Sequence, residues 1–534
     1  MIAPQTGPLG KIAVALSGGG YRAAAFHLGL LDVLHASGLL DQVVALSTVS
    51  GGTIVGAAYA LAVARGQDFP TFYREFYEQL HQRPLDNAVQ ILLGSEARQL
   101  PTATLIAAQA EVYDRIFFRH AKFGEILKAE TRLREIAFNA TDFAAGLPFR
   151  FQKSSRERVR IGNGRHIIPA EIAAELRLAD IVAASSCFPA GFEPFAFPDD
   201  FQWSQRAEIK RKLVEQYDDR FHEAVPLMDG GVADNQGVDS LLTGIDRLDK
   251  AAAETDRVGL ILISDVSQRA QGPLLATAVR PQRGGLRVSW FLGCARLLFV
   301  AATASLVGLG WQLVESIRAG NVRWWPDLVT VYFPLALSLL LVVALAVTRS
   351  IVKARLIDRL PRSGLDVPQL LKRMPLRLLL DLLWMRAQSL IAMSGDVFMK
   401  SIRDLRYREL YSSDEYRNRT AANLIYKLSE SQYRPPSDLP EWRKPTTEMQ
   451  QIAERAANMP TILWFEHDRQ LPEVVSCGRF TTCHTLLNHL VERYGADFER
   501  ADDDTRQRCG KLRELWTTLQ KQALLEPTQP LADT

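Results

Sequence analysis

The chain has 534 residues, 47% hydrophobic and 23% charged, with 34 glycines and 26 prolines. This is ordinary globular usage, which excludes collagen-like, low-complexity and wholly disordered chains. With 63 basic against 60 acidic residues the net charge is +3, so no global field selects nucleic acid as a partner. Five cysteines, Cys187, Cys294, Cys477, Cys483 and Cys509, are too scattered for a disulfide framework. A reducing compartment is expected for most of the chain.

The first residues, with Pro4, Gly7 and Pro8 and only Lys11 as a basic group before the apolar run Ile12 to Leu16, do not read as a signal peptide. From there β-like and helical runs alternate: Lys11 to Ser17, Ala23 to Ser37, Val43 to Thr48, Ile54 to Arg65. That alternation predicts βαβ units and a mainly parallel sheet. Further strands are expected at Arg134 to Thr141, Phe149 to Gln152 and Val258 to Ser264, with helical insertions over 70–130. Beyond residue 350 helical periodicity dominates, with a linker near Tyr433 to Lys444 and a polar tail after Leu524.

Two segments stand apart in hydropathy. Leu297 to Val314 runs 18 residues and Leu328 to Thr348 runs 21 without a charge. At 1.5 Å per residue the second reaches about 32 Å, the thickness of a bilayer's hydrocarbon. Arg280, Arg283, Arg287 and Arg296 precede the first; Arg349, Lys353, Arg355, Arg359 and Arg362 follow the second. The pattern predicts a two-span integral membrane hairpin over 289–349, with both flanking regions cytoplasmic. Eight basic against two acidic residues between Arg349 and Leu380 would also attract anionic headgroups.

The first βα turn reads Ser17-Gly18-Gly19-Gly20-Tyr21-Arg22-Ala23. Three consecutive glycines let backbone N–H groups turn outward together at the positive end of the following helix. Such a turn suits a phosphate or the oxyanion of an acyl-transfer reaction. Gly18-x-Gly20-x-x-Ala23 formally satisfies a dinucleotide fingerprint, the basis of an oxidoreductase reading. The second strand, however, ends Ala45-Leu46-Ser47-Thr48-Val49-Ser50 with no acidic residue for a ribose, Asp41 precedes that strand, and no P-loop lysine is present.

Instead the second strand runs through Val49-Ser50-Gly51-Gly52 into a helix. This is the layout of a nucleophile elbow, G-x-S-x-G, with Thr48 in place of the first glycine; the plain alternative is an N-cap serine. Consecutive βα loops open at the carboxyl ends of neighbouring strands, so the N–H groups of Gly18, Gly19, Gly20 and Gly51 can converge beside Ser50. A serine hydroxyl needs a base. None of the nine histidines sits in a partner motif, whereas Asp229, followed by Gly230 and Gly231, ends an apolar stretch; a plain turn is the alternative. Asp234 is a second carboxylate nearby. Cys477-x5-Cys483-His484 lacks metal-ligand spacing, Cys187 has no adjacent base, and no metal or cofactor is expected.

Taken together, Gly18 to Arg22, Ser50 within Thr48 to Gly52, and Asp229 to Gly231 resemble, in order, the oxyanion loop, serine elbow and Asp-Gly-Gly motif of the patatin-like phospholipases. Asn139 to Asp142 and Ala184 to Pro189 are weaker family-like segments, as are Gly395 to Tyr411 and Met459 to Leu490. The resemblance implies an α/β patatin-like domain over 8–270 with helices on both faces of its sheet, then the hairpin, a helical region over 350–524 and a tail over 525–534. It implies a Ser50–Asp229 dyad without histidine, in which Ser50 attacks a lipid ester, Asp229 takes its proton, and water cleaves the acyl-enzyme. Gly18, Gly19, Gly20 and Gly51 would form the oxyanion hole, supported by Gly52, Gly230 and Gly231, with Arg22 ordering the glycine loop or meeting a headgroup phosphate. The substrate would be a membrane phospholipid or related ester. The rival reading is a catalytically silent membrane scaffold, which the departure at Thr48 would favour.

Overall fold

The central strands are apolar on both faces because helices cover both. In the computed structural model β1 (Lys11–Leu16), β2 (Val43–Val49) and β9 (Val258–Asp265) are buried almost throughout, as parallel strands of an α/β layer are. Along β1 the side chains of Ile12, Val14 and Leu16 join the core beneath α1 (Gly20–Ala36) and α2 (Gly51–Ala64). Those of Ala13 and Ala15 face the other way, into a smaller cluster with Leu241, Ile245 and Ile263. The structure describes residues 9–267, 288–320 and 375–532, less 156–158, 190, 204–207, 210–211, 214–222, 251–256, 436–438, 496–497 and 525–526, together with isolated positions within 333–343.

The remaining strands are β3 (Glu135–Asp142), β4 (Leu147–Ser154), β5 (Ile161–Gly162), β6 (Ile167–Ile168), β7 (Phe195–Phe197), β8 (Val225–Asp229) and β10 (Thr420–Leu424). They form one sheet in the order β10-β9-β1-β2-β3-β4-β5-β6, with β8 on β3 and β7 on β8. From β10 to β3 every pairing is parallel; beyond β3 every pairing is antiparallel. The mainly parallel sheet expected from sequence therefore describes only half of it. The reversal starts where Phe143–Gly146 joins β3 to β4, a turn too short for a parallel crossover.

The register on β3 positions the site. One edge of β3 is taken along its whole length by β4. On the other edge β2 pairs in parallel up to Val49↔Asn139, and β8 takes over antiparallel from Asp229↔Ala140. The two strands thus run toward each other along one edge, and their carboxyl ends meet: Ser50 follows the last residue of β2, and Asp229 is the last residue of β8.

Between β2 and β3 the chain is helical, as expected, with α3 (Phe69–Gln79), α4 (Pro84–Leu93), α5 (Leu105–Tyr113) and α6 (Phe123–Lys128). The short α7 (Ala170–Ala173) and then α8 (Leu178–Ser185) follow β6, and α9 (Gly231–Asp234) and α10 (Val238–Lys250) follow β8.

Residues 394–534 form one compact unit with residues 1–271, and residues 272–393 form a second. From 394 on, the region read from sequence as mostly helical adds the edge strand β10 and the helices α13 (Met399–Ser412), α14 (Thr447–Asn458), α15 (Gln470–Tyr494) and α16 (Asp503–Lys521) to the first unit. α15 crosses α1 at paired glycines: a Cβ at Gly29 would lie 2.2 Å from the Val475 carbonyl oxygen, and one at Gly478 2.1 Å from that of Phe26. The polar tail is also tied down. A fully buried ion pair, Arg479 Nε to Asp32 Oδ2 at 2.7 Å, donates from Arg479 to the Gln529 carbonyl and accepts the Leu531 N–H on Asp32.

In the second unit α11 (Val288–Arg318) contains the one helix stretch among the described residues, Phe299–Arg318, that is long and apolar enough to cross a membrane. It overlaps the first expected span and continues past Val314. Leu297, Val307 and Trp311 on α11 are each about 70% exposed. The second expected span, 328–348, lies almost wholly outside the described residues, so a two-span hairpin is not established. α12 (Leu376–Ala392) follows.

Candidate active site

Ser50 sits between β2 and α2 with φ 51° and ψ −123°, a backbone conformation that costs a non-glycine residue of order 1–3 kcal/mol. Neighbouring atoms hold it there. The Ser50 N–H donates to Ser185 Oγ at 3.0 Å, Ser185 Oγ donates to the Asn139 carbonyl at 2.6 Å, and Thr53 Oγ1 lies 2.8 Å from the same hydroxyl. The Ser185 carbonyl accepts the Gly230 N–H at 3.2 Å, so one residue of α8 holds both the elbow and the turn that follows Asp229. Asn139 Nδ2 donates to Ser47 Oγ and to the Thr48 carbonyl. These contacts give the family-like segments around Asn139 and Ser185 a structural role that sequence alone did not assign.

Thr48, the departure from the elbow pattern, is accommodated by a glycine elsewhere. A Cβ at Gly56, in the second turn of α2, would lie 2.4 Å from Thr48 Cγ2, while Thr48 Oγ1 donates to Thr53 Oγ1 at 3.0 Å. Gly56→Ala should therefore destabilise the protein by about 1–3 kcal/mol through overpacking. Thr48→Ser, which removes only the methyl, should restore most of that loss in the double variant, as measured by thermal unfolding; additive effects would refute the compensation.

Asp229 is 5% exposed and Ser50 8%. The Ser50 hydroxyl lies close enough to the Asp229 carboxylate to favour its charged form, and Asp229 Oδ1 accepts the Gly231 N–H at 2.7 Å. Burial pushes the Asp229 carboxyl up from its ordinary 3.8 to about 6, against the opposing pull of Ser50 and of the Gly231 hydrogen bond. The loop here is crowded. A Cβ at Gly231 would lie 2.7 Å from Asn235 Oδ1, and one at Gly230 2.4 Å from the Asn139 carbonyl oxygen.

The glycine loop abuts the elbow: a Cβ at Gly18 would lie 3.0 Å from Ser50 Cβ, and one at Gly51 2.0 Å from the Gly20 carbonyl oxygen. A Cβ at Gly52 would lie 2.4 Å from the Leu16 carbonyl oxygen, which lets α2 start against β1. Gly19 (φ 147°) and Gly20 (φ 59°) hold conformations that side-chain-bearing residues rarely adopt. The four glycines named from sequence are not equivalent. The Gly18 N–H is bonded to the Asn235 carbonyl at 3.0 Å. Those of Gly19, Gly20 and Gly51 have no protein acceptor among the described residues.

Arg22 is 1% exposed, and its guanidinium donates to the carbonyls of Ala457, Met459 and Val266. It ties the start of α1 to these carbonyls and, being buried, does not reach out to solvent. The Tyr21 N–H donates to the Ile462 carbonyl at 2.9 Å, so the loop between α14 and α15 clamps the glycine turn from outside. Sequence reading missed this clamp because its partners lie more than 400 residues away. Asp234 accepts N–H groups of Gln236, Gly237 and Asp239 and serves its own turn. Burial pushes the Cys187 thiol up, and it donates to the Glu193 carbonyl. Cys477 and Cys483 likewise donate to backbone carbonyls of Ile425 and Leu512. His27, deep in the core between Ser264 and the Ser17 carbonyl, is pushed down to about 4 by burial.

Residues 14–242 match the family model described as Patatin-like phospholipase. This stretch, less than half of the chain, is similar to patatin-like phospholipase domains. Among solved structures, a human GIVD cytosolic phospholipase A2 is similar at 16% identity and a TM-score of 0.27, over 49% of this chain and 46% of that one. The chain thus spans about half the length of that protein. VipD from Legionella pneumophila is similar at 12% identity and a TM-score of 0.24, over 100% of this chain and 94% of that one. No curated protein matches the chain in a sequence search.

Proposed function

We propose that the protein is a serine lipid acyl hydrolase that works through a Ser50–Asp229 dyad. The observation that carries the reading is the contact between the Ser50 hydroxyl, on a strained elbow, and a buried carboxylate that titrates near 6. A carboxylate is a weak base for an alcohol; raising its affinity for a proton improves it. In the acylation step the Ser50 Oγ bonds to the ester carbonyl carbon while its proton passes to Asp229. The proton then goes to the leaving alcohol as the C–O bond breaks. In deacylation Asp229 takes a proton from water, the hydroxide adds to the acyl carbon, and the proton returns to Ser50 as the acid leaves. The N–H groups of Gly19, Gly20 and Gly51 are the donors for the carbonyl oxygen that becomes negative; each is worth about 3–4 kcal/mol in such a site. Gly18 supports the turn.

The rim suits an acyl chain. Phe143 and Phe188 are about half exposed, the first on the loop whose N–H bonds the Pro226 carbonyl of β8, the second next to Cys187, whose carbonyl holds the Asp229 N–H. With Thr48 accommodated by Gly56, the silent-scaffold reading loses its motive. Incubation with a fluorophosphonate probe should label wild type at Ser50 and leave Ser50→Ala unlabelled; an unlabelled wild type would refute the dyad.

The helix over Phe299–Arg318 supports a membrane tether that holds the enzyme at its substrate. Carbonate washing should leave the full chain with the membrane pellet. Release into the supernatant would refute the tether and leave the dyad untouched.

A further inference from the structure

A cavity of about 1040 Å³ lies away from the dyad, along the edge strand β10. Its walls come from the start of β9 at Arg257–Gly259, from residues 415–419, and from the last turns of α15. Among the described residues β10 pairs only with β9, so its outer edge carries no strand. The backbone directions are fixed by two bonds: the Ile425 N–H points inward to the Asp265 carbonyl at 3.1 Å, whereas the Ala422 carbonyl accepts from Lys427 Nζ at 3.3 Å. Because backbone groups alternate along a strand, Ala422 turns its N–H and C=O and Leu424 its N–H to the cavity side, the Leu424 C=O accepting the Lys427 N–H at 2.9 Å, and both side chains are only half-buried.

We propose that this groove binds an extended acidic peptide segment of a partner protein, which adds to β10 as a further strand. The shape and the charge both select that occupant. A five-residue edge offers about 17 Å of backbone pairing, the length of a short strand. The lining contributes Arg257, Arg417, Arg419, Lys427 and Arg493 against Glu415 and Glu492. A second copy of this chain would bring the same basic edge onto itself. Lys427 Nζ donates to two neutral oxygens, the Ala422 carbonyl and Thr485 Oγ1 at 3.2 Å, with the Glu492 carboxylate near enough to favour its charge. His489 Nε2, buried in the same wall, has no hydrogen-bond partner among the described residues. An edge lysine guards a strand against unwanted pairing. Here an incoming peptide N–H would take the Ala422 carbonyl and release the ammonium to an acidic side chain of the peptide.

The test uses the full chain and a fluorescein-labelled eight-residue peptide alternating glutamate with valine, read by fluorescence anisotropy. Three probes accompany it: the lysine–valine counterpart, the glutamate–valine peptide N-methylated at alternate residues, and inorganic polyphosphate. The acidic peptide should bind and the basic one should not. N-methylation, which removes the strand's donors without changing its charge, should abolish binding to the wild-type protein. Ala422→Pro, which removes an outward N–H from an edge strand, and Lys427→Glu should each weaken binding on the order of tenfold with ester hydrolysis unchanged. Equal binding of the N-methylated peptide, or polyphosphate displacing the peptide from a site indifferent to Ala422→Pro, would overturn strand addition in favour of a simple anion site. Equal binding of the basic peptide, or none of the acidic one, would overturn the charge argument.

Discussion

Ser50→Ala should lower ester hydrolysis by about 10⁴-fold or more, the scale on which serine hydrolases lose activity with their nucleophile, while KM for a short-chain ester changes little. The argument rests on position. Among the described residues, Ser50 is the hydroxyl that acts on the Asp229 carboxylate, and it lies beside the glycine loop. Replacing it leaves Asp229 able to polarise a water but without a covalent route. The fold should survive, because the contacts that hold the elbow run through the Ser50 N–H to Ser185 Oγ and not through the hydroxyl. A companion variant separates strain from chemistry. Ser50→Gly should be equally inactive yet more stable than Ser50→Ala by about 1 kcal/mol, since φ 51° and ψ −123° burden alanine and not glycine. Both variants are compared by initial rates and by thermal unfolding. Hydrolysis within tenfold of wild type in purified Ser50→Ala would remove Ser50 from the chemistry.

How far the sequence leads depends on the range over which each feature is decided. The first two strands, their helices and the two glycine-bearing turns are local matters, written in apolar runs and in residues that permit positive φ. Their observed bounds, Lys11–Leu16 and Val43–Val49, fall within a residue of those expected. The meeting of Ser50 and Asp229 is not local. It requires β8 to run against β2 along one edge of β3, and nothing in Pro226-Leu227-Met228-Asp229 states a direction. Nor does the motif reveal that the Gly18 N–H is occupied by Asn235, or that Gly56 makes room for Thr48. The edge strand Thr420–Leu424 escaped because two alanines and an asparagine in five residues carry no alternation; its place follows from β9 beside it. Arg22, expected to order the glycine loop or meet a headgroup phosphate, is buried, with two of its three carbonyl partners arriving from the far end of the chain.

Asp229→Asn should abolish hydrolysis and, at neutral pH, stabilise the protein. The carboxyl titrates near 6 in the fold against 3.8 for an unperturbed one, with burial as the leading cause. A folded-state value above the unfolded one means that the fold binds this proton more tightly. Its contribution to stability is therefore complete below pH 4, declines as the pH rises through 6, and leaves the ionised carboxylate costing on the order of 3 kcal/mol above that. Asparagine cannot ionise. It can still accept the Gly231 N–H and face Ser50, although a bond to a neutral amide is about 1 kcal/mol weaker than one to a carboxylate. The net gain expected at pH 8 is about 1–2 kcal/mol, a few degrees in Tm, and it should vanish by pH 4.5. Wild-type kcat/KM should fall tenfold per unit of pH below about 6 as the same group takes up its proton, so the midpoint of the activity profile and that of the stability difference should coincide. A variant less stable than wild type at pH 8, or a stability difference that does not change between pH 8 and 4.5, would mean that Asp229 is ionised at no cost and is not the base poised by burial. The expected pattern is that of a fold which gives up stability to keep one carboxylate dry beside a serine.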